Sequence, residues 1–117
     1  MEEMASMIKP GRASKAKGRR LQNLVRDLLR EKFPQLEDDD IKSATMGIGG
    51  EDIVLSPAAR KVLNYSFECK NVERLQFWKA IEQAEVNSNG SIPVIVVKKN
   101  GKTPFVAMPL DNWLDLI

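Results

Sequence analysis

Asn64-Tyr65-Ser66-Phe67-Glu68-Cys69-Lys70 is the stretch on which the fold turns. Its aromatic and apolar residues recur at every second position, the period of a β-strand. On that reading Tyr65, Phe67 and Cys69 point one way, and Ser66, Glu68 and Lys70 the other. An acid and a lysine two residues apart, taken alone, line the wet face of an ordinary strand. Their context decides whether they are more than that.

Upstream lies Glu51-Asp52-Ile53-Val54-Leu55-Ser56, a second strand whose alternation sets Asp52, Val54 and Ser56 on one face and Ile53 and Leu55 on the other. Ile41 to Met46 predicts a short strand before it, and Gly47-Ile48-Gly49-Gly50 supplies backbone freedom for a turn between the two. Those glycines are not followed by a helix pattern, so they do not form a dinucleotide fingerprint. Ser56 and Pro57 suit the cap and first position of a short helical turn through Val62.

Working outward, Leu21, Leu24, Val25, Leu28 and Leu29 make one apolar stripe at helical spacing and predict a helix from about Arg19 to Lys32, ended by Pro34. The four acids Glu37 to Asp40 lack the spaced ligands and glycine of a calcium loop and read as a solvated loop. A second helix is expected from about Val72 to Asn87, with Leu75, Phe77, Trp78, Ile81 and Ala84 toward the core and Gln83 along its flank. Residues 91–99 read as a strand, Asn100-Gly101 as a hairpin turn, and residues 103–110 as the return strand. Asp111 is expected to cap a last turn containing Trp113, Leu114 and Ile117. The order helix, three strands, helix, two strands, short helix predicts an α/β (α+β) fold with a mixed central sheet flanked by helices.

With 117 residues and 43% hydrophobic content, the chain is sized for one domain, residues 19–117, preceded by a basic and flexible arm, residues 1–18. The net charge is only +2, but Lys9, Arg12, Lys15, Lys17, Arg19 and Arg20 fall together with no acid among them, which favours an anionic partner. Cys69 is the single cysteine and histidine is absent, so zinc sites of cysteine and histidine, disulfides within the chain and histidine-based catalysis are excluded. No apolar run approaches the ~20 residues of a membrane span. An intracellular, cytoplasmic protein is expected.

Phosphodiester hydrolysis requires a nucleophilic water, neutralisation of the phosphate and help for the leaving oxygen. Magnesium supplies much of this when carboxylates on adjacent strands hold it with positions left open. Asp52 and Glu68 suit that pair, the Cys69 backbone carbonyl completes the protein ligands, and Lys70 suits orienting the water or stabilising developing charge.

The full pattern, Gly49-Gly50-Glu51-Asp52-Ile53 on one strand and Phe67-Glu68-Cys69-Lys70 on the next, resembles the PD-(D/E)XK nuclease superfamily. The likeness spans most of the chain. It is strongest to archaeal-type and phage Holliday junction resolvases and related phage endonucleases, which open similarly with a basic segment and a glycine-led helix, here Lys17-Gly18-Arg19-Arg20-Leu21-Gln22. The resemblance implies a restriction-endonuclease-like core and a Mg2+-dependent DNA endonuclease, with Mn2+ as a substitute, acting on branched four-way junctions. It implies a phage-encoded protein working in a bacterial cytoplasm. Symmetric cutting needs two sites, so a homodimer is expected. Asp52, Glu68 and Lys70 would be catalytic, and the six basic residues from Lys9 to Arg20 would grip phosphates.

Two positions depart from the family pattern. Gln22 stands where many members carry a metal-associated glutamate, and Met46 stands where a serine is expected before the loop glycine, so that either Ser43 or Thr45 replaces it or the contact is absent. Gln83 matches a helix glutamine of related nucleases. Alternatives of a general, repair or restriction-type nuclease, or of a non-catalytic nucleic-acid-binding module, stay open at this point.

Overall fold

The computed structural model describes residues 10–45 and 50–117, with the side chains of residues 10, 11, 12 and 14 left aside. Lys9, Met46 and Gly49 lie outside the described residues, as does the side chain of Arg12. The elements in chain order are α1 (Pro10–Lys32), a 3-10 turn (Asp38–Asp40), β1 (Ile41–Ser43), β2 (Ile53–Leu55), α2 (Pro57–Val62), β3 (Tyr65–Asn71), α3 (Phe77–Ser88), β4 (Ile92–Lys98), β5 (Phe105–Ala107) and α4 (Leu110–Leu114). The α/β class and the expected order of elements hold.

β3 and β4 pair in parallel, with Glu68 opposite Ile95 and Lys70 opposite Val97. β4 and β5 pair antiparallel, so this three-stranded sheet is mixed. β1 and β2 form a separate antiparallel pair. The two sheets are stitched where Asp52 N–H donates to Phe67 C=O at 3.0 Å. That bond puts β2 beside β3 and sets the aspartate next to the strand that carries the acid and lysine.

A helix covers each face. On one, Leu21 and Val25 of α1 pack with Ile41, Ile53, Phe67, Cys69, Val94 and Val96. On the other, Ala80 and Ala84 of α3 pack on Ile95, with Leu75, Ile81 and Val97 around them. The alternation read along β3 is therefore real: Phe67 and Cys69 enter the α1 core, while Ser66 and Glu68 are buried beneath α3. Small alanines let α3 approach the sheet closely enough to cover polar side chains.

Four expectations are corrected. The first helix begins at Pro10 rather than near Arg19, so the segment read as an arm is helical from Pro10 onward. Proline suits a first helical position, and Ala13, Lys15, Ala16 and Lys17 all favour helix although none extends the apolar stripe. The second helix begins at Phe77, and Trp78, read as core, is 73% exposed. At 100° per residue Trp78 lies roughly 160° around the helix from the buried Ala80. Asn100-Gly101 does form a turn, closed by Lys102 N–H to Lys99 C=O at 3.1 Å, with a positive φ at Gly101. Pairing of β4 with β5 resumes only at Val97 and Phe105, leaving residues 98–104 as a broader loop. Finally, Asp111 sits inside α4 behind Pro109 and makes no capping bond. Ser56 does cap α2 as expected, accepting from Ala59 N–H at 3.1 Å while its hydroxyl donates to Asp40 at 2.6 Å.

Candidate active site

Asp52 immediately precedes β2 and is fixed from several directions. Its N–H is held by Phe67, and its carbonyl accepts from Ala44 N–H at 2.8 Å and from Gln22 Nε2 at 2.9 Å. Its side chain reaches across to β3, where Cys69 N–H donates to Asp52 Oδ2 at 2.7 Å. Gly50, with φ +104°, supplies a backbone conformation that a side chain would strain as the chain turns into this segment. Asp52 is therefore no turn cap. It is a bridge between the strands, hydrogen-bonded to the backbone of the residue that separates Glu68 from Lys70.

Glu68 is 4% exposed, and its Oε2 has no hydrogen-bond partner. Lys70 Nζ stands 3.7 Å from Glu68 Oε1 and donates to Gln83 Oε1 at 2.8 Å. Lys70 thus does not pair with Glu73, whose carboxylate takes Lys17 instead at 3.1 Å. Gln83 comes from α3, about one turn after the buried Ala80 and directly before Ala84, so the helix that covers Glu68 also orients the lysine.

The electrostatics follow from this placement. Burial raises the Asp52 carboxyl above its usual range, against the pull of the Cys69 N–H and Lys70. Burial also raises Glu68, and the neighbouring charge of Asp52 raises it further, with Lys70 opposing. Among the described residues, Asp52 and Glu68 share a partly desolvated edge on which Lys70 is the cation that opposes both shifts. That is an arrangement a divalent cation would relieve.

The donor set can be tested against such an ion. Among the described residues no group of three or more His, Cys, Asp or Glu side chains converges. Magnesium does not require one, since one or two carboxylates suffice when water and substrate oxygens complete an octahedron. The Cys69 thiol points into the core and is pushed up by burial, so only the backbone of this residue serves the site. Phe67 C=O and Cys69 N–H both face β2, and by the two-residue strand period the Cys69 carbonyl faces that edge as well. Asp52, Glu68 and that carbonyl fit a loosely held magnesium ion.

The other predicted residues divide. Gln22 is 3% exposed and contacts the site through the Asp52 backbone, while its Oε1 is buried without a partner. Ser43 ends β1 and Thr45 lies exposed beyond it, and neither makes a side-chain hydrogen bond to Asp52, Glu68 or Lys70. Lys15, Arg19 and Arg20 are exposed on α1, whereas Lys17 is engaged by Glu73.

Sequence reading missed Glu51 and Arg60. Arg60 of α2 donates to Tyr65 C=O at 3.0 Å and Ser91 Oγ at 2.9 Å, and its other amino group pairs with Glu51. This cross-brace holds the residue next to Asp52 against the starts of β3 and β4. A nine-residue separation across a turn leaves no periodic signal by which it could have been found. Comparison of the chain with protein-family models, with curated proteins and with solved structures returns no match.

Proposed function

We propose that the chain is a magnesium-dependent DNA endonuclease of the PD-(D/E)XK type that acts on branched four-way junctions. The observation that carries this reading is the bond from Cys69 N–H to Asp52 Oδ2. It joins an aspartate and an E-x-K strand, drawn from separate sheets, at one buried edge.

Bound magnesium would neutralise the scissile phosphate and lower the pKa of water at the site. Asp52 and Glu68 would hold the ion, with the Cys69 carbonyl beside them. Lys70 is steered by Gln83 and placed to orient the attacking water or to stabilise negative charge on the phosphate. Asp52 needs little reorganisation, because its backbone is already tied to β3, to Ala44 and to Gln22. Cleavage of a labelled four-way junction and its matched linear duplex tests the proposal, with Lys70→Ala alongside. The expected result is paired nicks in the junction alone, with the rate in the variant reduced by on the order of 10^2 to 10^3-fold. Cutting of both substrates would make the protein a general nuclease. Binding without cutting would leave a non-catalytic module, a reading favoured by the neutral Gln22.

Symmetric cutting calls for two sites and hence two copies of the chain. Supporting a dimer is the apolar character of β5 and α4, where among the described residues Val106, Leu110, Trp113 and Leu114 are 47–68% exposed. Several exposed large apolar residues on two consecutive elements are the composition of an interaction surface. Trp113→Asp with Leu114→Asp is expected to convert a dimer of the 13.2 kDa chain into monomer by light scattering. A native protein that stays monomeric with junction bound would remove resolution from the proposal.

A further inference from the structure

Three lysines, Lys98, Lys99 and Lys102, flank the Asn100-Gly101 turn, and no carboxylate occurs in the sequence between Glu85 and Asp111. An ordinary solvated loop mixes charges of both signs. Here, among the described residues, no acid stands within 4 Å of Lys98, Lys99, Lys102 or Arg20.

The position of this loop gives the charge a direction. Lys70 shares one surface cleft with Lys98, Lys99 and Lys102, and Lys98 shares the next with Lys17 and Arg20 of α1. The loop is also fastened rather than free. Glu73 Oε2 accepts from Asn100 N–H at 2.9 Å and from Lys17 Nζ at 3.1 Å, so one carboxylate ties the turn to the helix. Val72 N–H donates to Lys98 C=O at 3.1 Å, and Asn71 Nδ2 donates to Lys17 C=O at 3.3 Å. Glu73 pairs with Lys17 and is only weakly influenced by Lys99, so among the described residues the loop lysines and Arg20 form no ion pair.

From these contacts we infer that the β4–β5 loop is a phosphate-binding arm, which continues from Lys70 to Arg20 and holds the backbone of a duplex beside the scissile strand. The inference rests on the nuclease reading and adds to it a contact surface distant in sequence from the basic N-terminal segment. A polyanion with regularly spaced charges suits it, because each lysine that meets a phosphate releases condensed counterions and contributes about 0.9 to the salt slope of binding to duplex DNA. The turn keeps the three ammonium groups on one short loop, and the Glu73 clasp lowers the ordering cost of presenting them.

The test uses Asp52→Asn as background, so that DNA is bound without being cut, and a labelled linear duplex in EDTA with a KCl titration. Lys98→Ala/Lys99→Ala/Lys102→Ala is expected to lower the slope of log K against log[KCl] by about 2 to 3. The control is Lys32→Ala/Lys61→Ala. Lys32 lies about 22 Å along α1 from Lys17, and Lys61 is on α2 at the opposite end of the sheet, beside the residue that braces the starts of β3 and β4. This control should leave the slope nearly unchanged. Lys99→Glu/Lys102→Glu, which changes only exposed side chains, gives a second variant should the triple change disturb folding, and it is expected to lower both slope and affinity. Tight duplex binding with a slope in both loop variants no lower than in the control would overturn the loop assignment and leave the nuclease proposal standing. Absence of binding to the duplex and to a four-way junction alike in the Asp52→Asn background would overturn both.

Discussion

Asp52→Asn is expected to abolish cleavage, by on the order of 10^3-fold or more, while raising the melting temperature of the metal-free protein. The two effects share one cause. Asp52 and Glu68 are held above their usual carboxylate range chiefly by burial, and their mutual repulsion adds to it for Glu68. In the folded protein these groups therefore bind protons more readily than in the unfolded chain. Where the folded state binds more protons, stability falls as pH rises. The stabilisation is full below the ordinary carboxylate range, about pH 4, and is lost as pH climbs through the raised folded values, so the cost is present at neutral pH. Asparagine keeps an oxygen for Cys69 N–H and removes the charge. We expect a higher melting temperature for the variant at pH 7, with the difference shrinking toward zero near pH 4.

Asp27, Asp40 and Glu73 are shifted the opposite way by hydrogen bonds and neighbouring cations, and they contribute stability that is lost as pH falls. The overall pH profile is thus a mixture, and the difference between native and variant isolates Asp52. Magnesium reverses the order. It should stabilise the native protein by about 1.4 kcal/mol at ten times its dissociation constant and leave Asp52→Asn nearly unmoved. Thermal melts in EDTA and in Mg2+, across pH 4 to 8, read all of this. A native protein whose melting point ignores Mg2+ would sink the metal site, whatever the variant does.

The parts of this site legible in the sequence were those governed by strand periodicity. Glu68 and Lys70 share a face because successive strand residues alternate, and Ile53 and Leu55 are buried for the same reason. The helices were harder to read. The second was placed by its large apolar residues, yet its packing face is centred on Ala80 and Ala84, and Trp78 projects away from it. Large side chains dominate a hydrophobic pattern, whereas close approach of a helix to a sheet selects small ones. The start of α1 was hidden differently. Its first two turns mix helix-forming Ala13, Lys15 and Ala16 with Gly11 and Ser14 and carry no large apolar residue, so no stripe announces them, and their cohesion with the fold comes from contacts such as Asn71 to Lys17 that join distant parts of the chain. Gln22 was singled out through the family resemblance, at the position of a metal-associated glutamate, but the Asp52 carbonyl that it meets could not be read from the sequence.

Arg60 is the clearest case of a residue that only the tertiary structure reveals, and Arg60→Ala is the second large effect expected. Its guanidinium spans three partners, Tyr65 C=O, Ser91 Oγ and Glu51, with the Arg60 and Glu51 side chains 26% and 20% exposed. Surface pairs contribute little, but this one is mostly withdrawn from water, and Glu51 Oε2 is already buried without a partner. Removing the arginine leaves an uncompensated carboxylate beside Asp52 and unfastens the segment from both strand starts. We expect a loss of about 2 to 3 kcal/mol, a fall in melting temperature of about 10 °C or more, together with slower cleavage at temperatures where the variant is still folded. Adding Glu51→Gln to Arg60→Ala should restore part of the stability, because the stranded charge is gone. It should not restore the cleavage rate, since the brace on the chain next to Asp52 is still missing. Equilibrium denaturation of the native protein and both variants, with single-turnover cleavage at matched folded fraction, separates the two consequences. If Arg60→Ala melts within a degree or two of the native protein, the brace is ordinary surface decoration. If the double variant regains the full rate, Arg60 acts only by neutralising Glu51 and does not position Asp52.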